Sequence, residues 1–141
     1  ILDLCLNYAP VILIKGNHDK IIGPIANKRN VQILESYKTD NITILHGDKL
    51  KEIKTKTIII GHEHPAITIS DEIRKEKYKC FLKGKWKNKN LIVMPSFNLI
   101  REGTDIANQR LLSPFLKNIS DFEVYVIEDK VYNFGELKNL K

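Results

Sequence analysis

The sequence predicts an α/β fold, and two observations predict it. Three short apolar runs, at residues 11–14, Ile42–Leu45 and Thr57–Ile60, are each followed by a glycine and a histidine. Continuous apolar runs of this length indicate strands that are buried on both faces of an α/β sheet. After Pro65 the pattern changes to alternating apolar and polar residues, which is typical of strands with one solvated face. Since open α/β sheets bind ligands at the carboxyl ends of their strands, we expect functional residues after the three apolar runs.

Length and composition are those of one globular domain. The chain has 141 residues, of which 43% are apolar and 28% are charged, and this is enough for a hydrophobic core. It begins at Ile1, and residues 1–6 have the pattern of the last turns of an amphipathic helix. We therefore predict a single domain over residues 1–141 that is truncated at its amino terminus.

The later part of the chain predicts further strands and one hairpin. Pro95-Ser96 and Ser113-Pro114 interrupt a longer irregular stretch between them. Asp129-Lys130 is a candidate hairpin turn between the last two strands. The clearest strands are predicted at Lys75–Trp86 and at residues 91–94, 122–127 and 131–134.

The cysteines and the lack of long apolar runs predict a cytoplasmic protein. No run approaches the ~18 apolar residues that span a bilayer, and no cleavable leader is visible. Cys5 and Cys80 form no Cys-x-x-Cys pair, and Cys80 alternates with Tyr78 and Leu82 as a residue on the buried side of a strand does. We expect two reduced thiols in the core rather than a disulfide.

The most specific motif is Gly16-Asn17-His18-Asp19. A glycine directly after a strand allows a tight turn and the close approach of an anion. Asn17 and His18 then project from one rigid point, as ligand-binding side chains must. The alternative is an Asn-His turn that merely ends a strand. The order of the histidine sites further along the chain argues against it.

The second motif is Gly61-His62-Glu63-His64. In extended backbone, residues two apart point the same way and lie ~6.5–7 Å apart. His62 and His64 could then each reach one of two metal ions that are ~3.5–4 Å apart, while Glu63 points away. A surface His-x-His is the alternative, which the apolar strand before it disfavours. His46 follows Ile42–Leu45 and lies between the two motifs, although a single histidine at a strand end is more often structural.

The order of these sites resembles the second half of the calcineurin-like metallophosphoesterase superfamily. The resemblance implies a four-layer sandwich of two mixed β-sheets flanked by helices, of which this chain would be the C-terminal part. The superfamily carries an Asp-x-His and a Gly-Asp upstream of its Gly-Asn-His. Neither occurs before Gly16 here. The bridging carboxylate and two further metal ligands of the superfamily are therefore missing from this sequence.

This resemblance also implies roles for individual residues. Asn17, His46 and His62 would bind one divalent metal ion, and His64 would bind the other. Manganese is the first choice for both ions, while iron, zinc and nickel suit the same donor atoms. His18 would be the catalytic imidazole that faces the leaving oxygen. The mechanism implied is in-line attack on phosphorus by a metal-bridging hydroxide.

The later part of the chain carries a narrower resemblance, to the archaeal SbcD-related phosphoesterases and more loosely to the bacterial ligase-associated DNA-repair phosphoesterases. Within it, Ser96, Asn98 and Asp105 either line the substrate cleft or form turns. Asp19 would orient its surroundings. The residues that carry the resemblance are His64-Pro65-Ala66, Met94-Pro95-Ser96-Phe97-Asn98, Gly103-Thr104-Asp105 and Ser113-Pro114-Phe115.

The positive net charge of the chain favours a polyanionic partner but does not identify one. The formal net charge is +6, but the general richness in Lys, Ile and Asn indicates AT-biased coding. Lysines between residues 75 and 89 occupy odd positions and so would share one strand face. They either protect an edge strand from pairing or follow the phosphates of a nucleic acid. These lysines are Lys75, Lys77, Lys79, Lys83, Lys85, Lys87 and Lys89.

The function predicted is a metal-dependent hydrolase of phosphoester bonds, of a phosphodiesterase or nuclease-like kind. One alternative is a phosphatase that acts on small phosphoesters or phosphoproteins. Another is a non-catalytic binding module that lacks half of the dinuclear site. The substrate expected is a phosphoester, with nucleic acid as a candidate, and no membrane partner is expected. Because carboxylate ligands are missing, we expect this chain alone to be inactive.

Overall fold

The structure is a computed structural model that describes residues 1–70 and 74–140. It contains two short α-helices and eleven strands among these residues, and no helix in the described ranges is long and apolar enough to cross a membrane. The elements are α1 (Leu2–Leu6), β1 (Ile12–Ile14), α2 (Ile22–Asn27), β2 (Gln32–Leu34), β3 (Ser36–Lys38), β4 (Ile42–Leu45), β5 (Thr57–Ile60), β6 (Pro65–Ser70), β7 (Lys75–Trp86), β8 (Lys89–Val93), β9 (Thr104–Asp105), β10 (Glu123–Ile127), β11 (Val131–Glu136) and a 3-10 turn at Leu137–Asn139.

Nine of these strands form one mixed sheet, and β1 and β2 form a separate parallel pair. The main path runs β11-β10-β7-β8-β5-β4-β3. Its centre is parallel, because β4, β5 and β8 run in one direction, whereas β3, β7, β10 and β11 pair antiparallel to their neighbours. The long strand β7 also pairs with β6, which in turn pairs with β9. Strand β7 thereby joins β6 and β9 to the main path of the sheet.

The parallel register places three strand ends at the same edge of the sheet. Leu45 of β4 lies opposite Ile60 of β5, and Ile60 lies opposite Val93 of β8. The residues that follow these strands therefore emerge side by side, as expected for a ligand site in an α/β sheet. This register brings His46 next to the Gly61-His62 loop.

The prediction that the three apolar runs are buried on both faces is wrong in detail. In β5 the buried residues Ile58 and Ile60 alternate with half-buried ones, and β4 shows the same alternation. In β1, Ile12 is exposed. The three runs were predicted correctly as strands, but only one face of β4 and of β5 is fully buried, and β1 has no fully buried residue.

A single apolar cluster extends across the main sheet. It includes Ile60, Leu82, Val93 and Phe122, which are almost inaccessible to solvent. Cys80 belongs to this cluster, and burial raises the pKa of its thiol to about 12. The prediction of two free thiols is confirmed, but the placement of both in the core is wrong, because Cys5 is exposed on α1.

The hairpins agree with the turn chemistry of the sequence. Lys87 and Asn88 connect β7 to β8 with φ angles of 45° and 63°, the two left-handed residues that a tight hairpin of matching twist requires. The predicted turn at Asp129-Lys130 is confirmed, since β10 and β11 pair antiparallel on either side of it. The predicted strand at 91–94 begins earlier, at Lys89.

The edge-strand interpretation of the lysines is wrong for the middle of β7. Leu82 and Lys83 pair with β10 on one side and with β8 on the other, whereas residues 75–79 pair with β6. Several of its lysines bind acceptors of the protein itself. Lys79 Nζ donates to the carbonyl oxygen of Ser96 at 2.9 Å, and Lys83 Nζ lies 3.0 Å from Glu123 Oε2. We therefore do not propose a continuous nucleic-acid surface along this strand.

Gly84→Ala should destabilise the protein strongly. A Cβ atom at Gly84 would overlap the ring of Phe122, which is buried. Overpacking of this kind typically costs ~1–3 kcal/mol of unfolding free energy. Urea unfolding measures the difference, with Lys85→Ala as the control on the next exposed position of the same strand, where a change within ~0.5 kcal/mol is expected. Equal stabilities of the two variants would contradict the packing described.

Candidate metal centre

Three loops bring the motif residues together. Asn17 follows β1, His46 directly follows β4, and His62 follows β5 after one glycine. Beyond the strand ends, the backbone amides of Gly61 and His62 donate to the carbonyl oxygen of His46 at 3.0 and 2.9 Å. These two bonds continue the pairing of β4 with β5 into the loops and fix the backbone of both histidines.

The side chains of these three residues converge on one point. His46 Nε2 lies 2.8 Å from Asn17 Oδ1 and 3.0 Å from His62 Nδ1. The two imidazoles meet edge to face, with ring centroids 4.8 Å apart. The structure therefore brings together the three residues that the sequence groups around one metal ion.

Ordinary hydrogen bonds do not satisfy both contacts of His46. Its Nε2 atom carries either one hydrogen or one lone pair, so it satisfies only one of its two neighbours. A cation that accepts a lone pair from all three side chains would satisfy every one of them.

The surroundings keep His46 neutral. Burial lowers the pKa of His46, and the nearby His62 lowers it further, whereas Asp48 and Asp19 act in the opposite direction. Desolvation disfavours the charged imidazolium. Because only a neutral imidazole has a free lone pair on Nε2, this environment suits a metal ligand.

Asp19 closes the loop that presents Asn17. The backbone amide of Gly16 donates to Asp19 Oδ2 at 2.7 Å. A Cβ atom at Gly16 would lie 2.9 Å from this carboxylate oxygen and 3.1 Å from His46 Cε1. The glycine thus lets the loop pack against both residues, and the contact of Asp19 is of the orienting kind that the resemblance implies.

A cavity of ≈ 660 Å³ opens beside the converging side chains. Four lysines line it, and Lys15 and Lys51 both lie within 4.0 Å of Glu35. Sequence reasoning missed this basic lining, although the lysines flank the motif histidines in the loops after β1 and β4. The lining lysines are Lys15, Lys20, Lys49 and Lys51, and the lining acids are Asp19, Glu35 and Asp48.

His18 is exposed and does not line this cavity, although its neighbours Asn17 and Asp19 both do. Its role as a general acid stays a prediction.

The extended geometry expected for His62 and His64 is wrong. Residues 61–64 form bends, and His64 has a left-handed backbone with φ of 51°. His64 lines a second cavity of ≈ 370 Å³ together with Arg101, while His62 lines both cavities. Burial, His62 and Arg101 lower the pKa of His64. Its assignment to a second metal ion stays a prediction.

Ser96 and Asn98 form turn contacts, and Asp105 ends β9 and accepts from the turn that follows it. Ser96 Oγ accepts from the amide of Asn98, and Asn98 Oδ1 accepts from the amide of Ile100. Asp105 is 6% exposed and accepts from Thr68 Oγ1 at 2.6 Å. None of the three lines either of the two cavities in the described part of the chain.

The donor atoms fit one cation. Over residues 1–70 and 74–140, no three His, Cys, Asp or Glu side chains group closely enough to hold a metal ion. The converging set reaches three donors only through the amide oxygen of Asn17, and it contains no carboxylate. The residues therefore suit one divalent cation held by neutral ligands, whereas His64 alone does not make a second site.

Comparisons with known proteins support the fold. No protein-family model matches the chain, and no curated protein matches it significantly. The crystal structure of the Pseudomonas putida nuclease MPE is similar, with a TM-score of 0.62 and 20% sequence identity, over 93% of this chain and 57% of that one. The chain thus spans rather more than half of the length of that nuclease. This likeness confirms the predicted α/β fold with its mixed sheet.

Proposed function

We propose that this chain supplies one cation site of a metal-dependent hydrolase of phosphoester bonds. The observation that carries the proposal is the convergence of three side chains from separate loops. His46 Nε2 lies 2.8 Å from Asn17 Oδ1 and 3.0 Å from His62 Nδ1. Three donors from three separate loops have no structural need to meet in this way. The likeness to a nuclease in fold agrees with the proposal.

The surrounding residues suit a phosphoester substrate. A divalent cation in this place would stabilise negative charge on the phosphoryl oxygens. The lysines that line the cavity supply a positive potential, which attracts and orients an anion. His18 is exposed between two residues that line the cavity, and its imidazole would donate a proton to the departing alkoxide.

Phosphodiesters, nucleic acid among them, are the substrate class that we propose. The cavity is open to solvent, and its lining holds four lysines against three acids, which suits a phosphate within a longer polymer. We also propose the narrower resemblance to the SbcD-related phosphoesterases, which depends on the motifs between His64 and Phe115. Manganese is the cation proposed first, because imidazole and amide donors suit it along with iron, zinc and nickel.

One observation favours a second candidate, a binding module without catalysis. The converging set contains no carboxylate, and carboxylates normally supply the negative charge that holds two divalent cations together. A module of this kind would bind a cation or a phosphate without turnover.

Titration of the 141-residue chain with Co²⁺ tests the proposal. We expect one ion per chain, seen as the visible absorption band of Co²⁺ with nitrogen ligands. Added Mn²⁺ should give little hydrolysis of bis-p-nitrophenyl phosphate, since a missing bridging ligand removes several kcal/mol of transition-state stabilisation. Failure to bind Co²⁺ would refute the cation site. Rapid turnover would instead refute our expectation that this chain alone is inactive.

A further inference from the structure

Glu63 is a buried carboxylate between two of the motif histidines. It is 1% exposed, and its Oε2 accepts from the backbone amides of Leu112 and Ser113, both at 2.8 Å. Its side chain thus points away from the imidazoles into the protein. Two amide donors on one carboxylate oxygen fasten the loop of residues 61–64 to a segment almost fifty residues further along the chain.

Ser113 carries this connection to the other histidine loop. It is 4% exposed, and its Oγ donates to the carbonyl oxygen of Gly47 at 2.7 Å. Gly47 follows His46 and has φ of 99°, and a Cβ atom there would lie 2.7 Å from the Cβ of Ile60. The residue after His46 is therefore held between Ile60 and Ser113.

These contacts close a ring through the candidate metal centre. His46 precedes Gly47, and His62 precedes Glu63, so each histidine is followed directly by a residue that Ser113 binds. On the other side of the ring, His46 Nε2 and His62 Nδ1 lie 3.0 Å apart. The contacts of Glu63 and Ser113 are thus a second connection between the two histidine loops, beside the backbone bonds of Gly61 and His62 to His46.

Packing alone does not account for a glutamate at this position. Its Oε1 is buried with no hydrogen-bond partner among the described residues, and a buried carboxylate oxygen without a partner is destabilising. An apolar side chain would avoid that cost, but it could not hold the amides of Leu112 and Ser113. What the carboxylate provides is a connection of fixed geometry between loops.

We propose that Glu63 and Ser113 are positioning residues that set the distance between His46 and His62 and thereby the affinity of the site for a divalent cation. Neither residue touches the cation. The inference rests on the proposed function for the cation, but its geometric part does not.

The test compares Glu63→Ala and Ser113→Ala with Asp105→Ala. Asp105 is also a buried carboxylate that binds a backbone amide, that of Ala107 at 3.1 Å, and its other side-chain hydrogen bonds are to Thr68 and Asn108, outside the histidine loops. Co²⁺ titration of the 141-residue chain measures affinity, and urea unfolding measures stability. We expect Glu63→Ala to weaken Co²⁺ binding ~10–100-fold, as loss of an outer partner of a metal ligand does, and Ser113→Ala to weaken it less. Asp105→Ala should lower stability and leave the affinity of the folded protein unchanged.

Glu63→Gln keeps an oxygen that accepts both amides, so it should recover most of the affinity. Hydrogen exchange in the metal-free chain is the second readout. The amides of Gly61 and His62, which bond to His46, should exchange faster in Glu63→Ala than in Asp105→Ala when each is compared with amides of β8 in the same protein.

Each outcome decides between the alternatives. Equal losses of affinity or of amide protection in Glu63→Ala and Asp105→Ala would show that Glu63 acts through general stability, and the proposal would be wrong. If the unsubstituted chain bound no Co²⁺, the proposed function would fail. The exchange measurement would then still support or refute the connection between the loops, and if Glu63→Ala does not fold, Ser113→Ala supplies the same comparison.

Discussion

His46→Ala should lower the affinity of the chain for Co²⁺ by more than ~100-fold, because loss of an outer partner of a ligand already costs ~10–100-fold. His46 has the largest expected effect of the three ligands, since its Nε2 is the atom that both Asn17 Oδ1 and His62 Nδ1 approach. Spectroscopic titration with Co²⁺ measures the affinity. Unfolding by urea shows whether the variant is folded in the same buffer.

His18→Ala is the matched control for this experiment. His18 is exposed and lies in the same loop as Asn17, but it is not part of the converging set. Its replacement should leave the Co²⁺ affinity unchanged. If His18→Ala and His46→Ala lost affinity alike, the ligand assignment would be wrong.

The second large effect concerns the rate of hydrolysis. In a form of the protein that hydrolyses phosphodiesters, His18→Ala should slow the hydrolysis of a phosphodiester with a poor leaving group by ~10²–10⁴-fold, the usual contribution of a general acid. The metal content should not change. A p-nitrophenyl diester should restore most of the rate, because p-nitrophenolate departs without protonation.

His62→Ala provides the contrast. It should lose metal and activity together, on good and poor leaving groups alike, because it removes a ligand of the cation. Rates on both substrates and metal analysis of both variants distinguish the two roles. An identical defect of His18→Ala on both substrates would contradict its role as general acid.

Local patterns were sufficient for most of the strands. Ile42–Leu45, Thr57–Ile60 and Lys75–Trp86 have the boundaries that their apolar or alternating residues predict. The strands that were not predicted are short or have a sequence pattern that is ambiguous. Gln32–Leu34 and Ser36–Lys38 have only three residues each, and Pro65–Ser70 begins with a proline that cannot donate a ladder hydrogen bond. Whether such segments form strands depends on the strands with which they pair.

Part of the candidate site was likewise predictable from the sequence, and part was not. Asn17, His46 and His62 were predicted as a group. His46 and His62 meet because the register of β4 and β5 aligns the ends of these strands, whereas Asn17 follows β1 of the separate parallel pair. His64 departed from the expected geometry because Gly103 and Thr104 pack against its backbone, and the amide of Thr104 donates to its carbonyl oxygen at 3.0 Å. A contact with a residue forty positions away has no signal in the motif itself.

The roles of the charged residues depended even more on tertiary structure. The alternating lysines of β7 were visible in the sequence, but pairing on both sides of that strand placed them next to acceptors such as Glu123. The lysines that line the cavity are scattered in two loops and gain a common position only when β1 and β4 deliver those loops to one place. Glu63 was correctly expected to point away from the metal ligands, yet nothing near it in sequence identifies the amides that it binds.

Motif identity and the period of apolar residues are local properties of the chain, and they were enough to predict the candidate site residues and most of the strands. Tertiary structure alone decided how those residues face one another. The 3.0 Å separation of the two imidazoles, the turn at His64 and the connection from Glu63 through Ser113 to Gly47 all join segments that are far apart in sequence. Their geometry follows from sheet register and long-range hydrogen bonds, which no local pattern encodes.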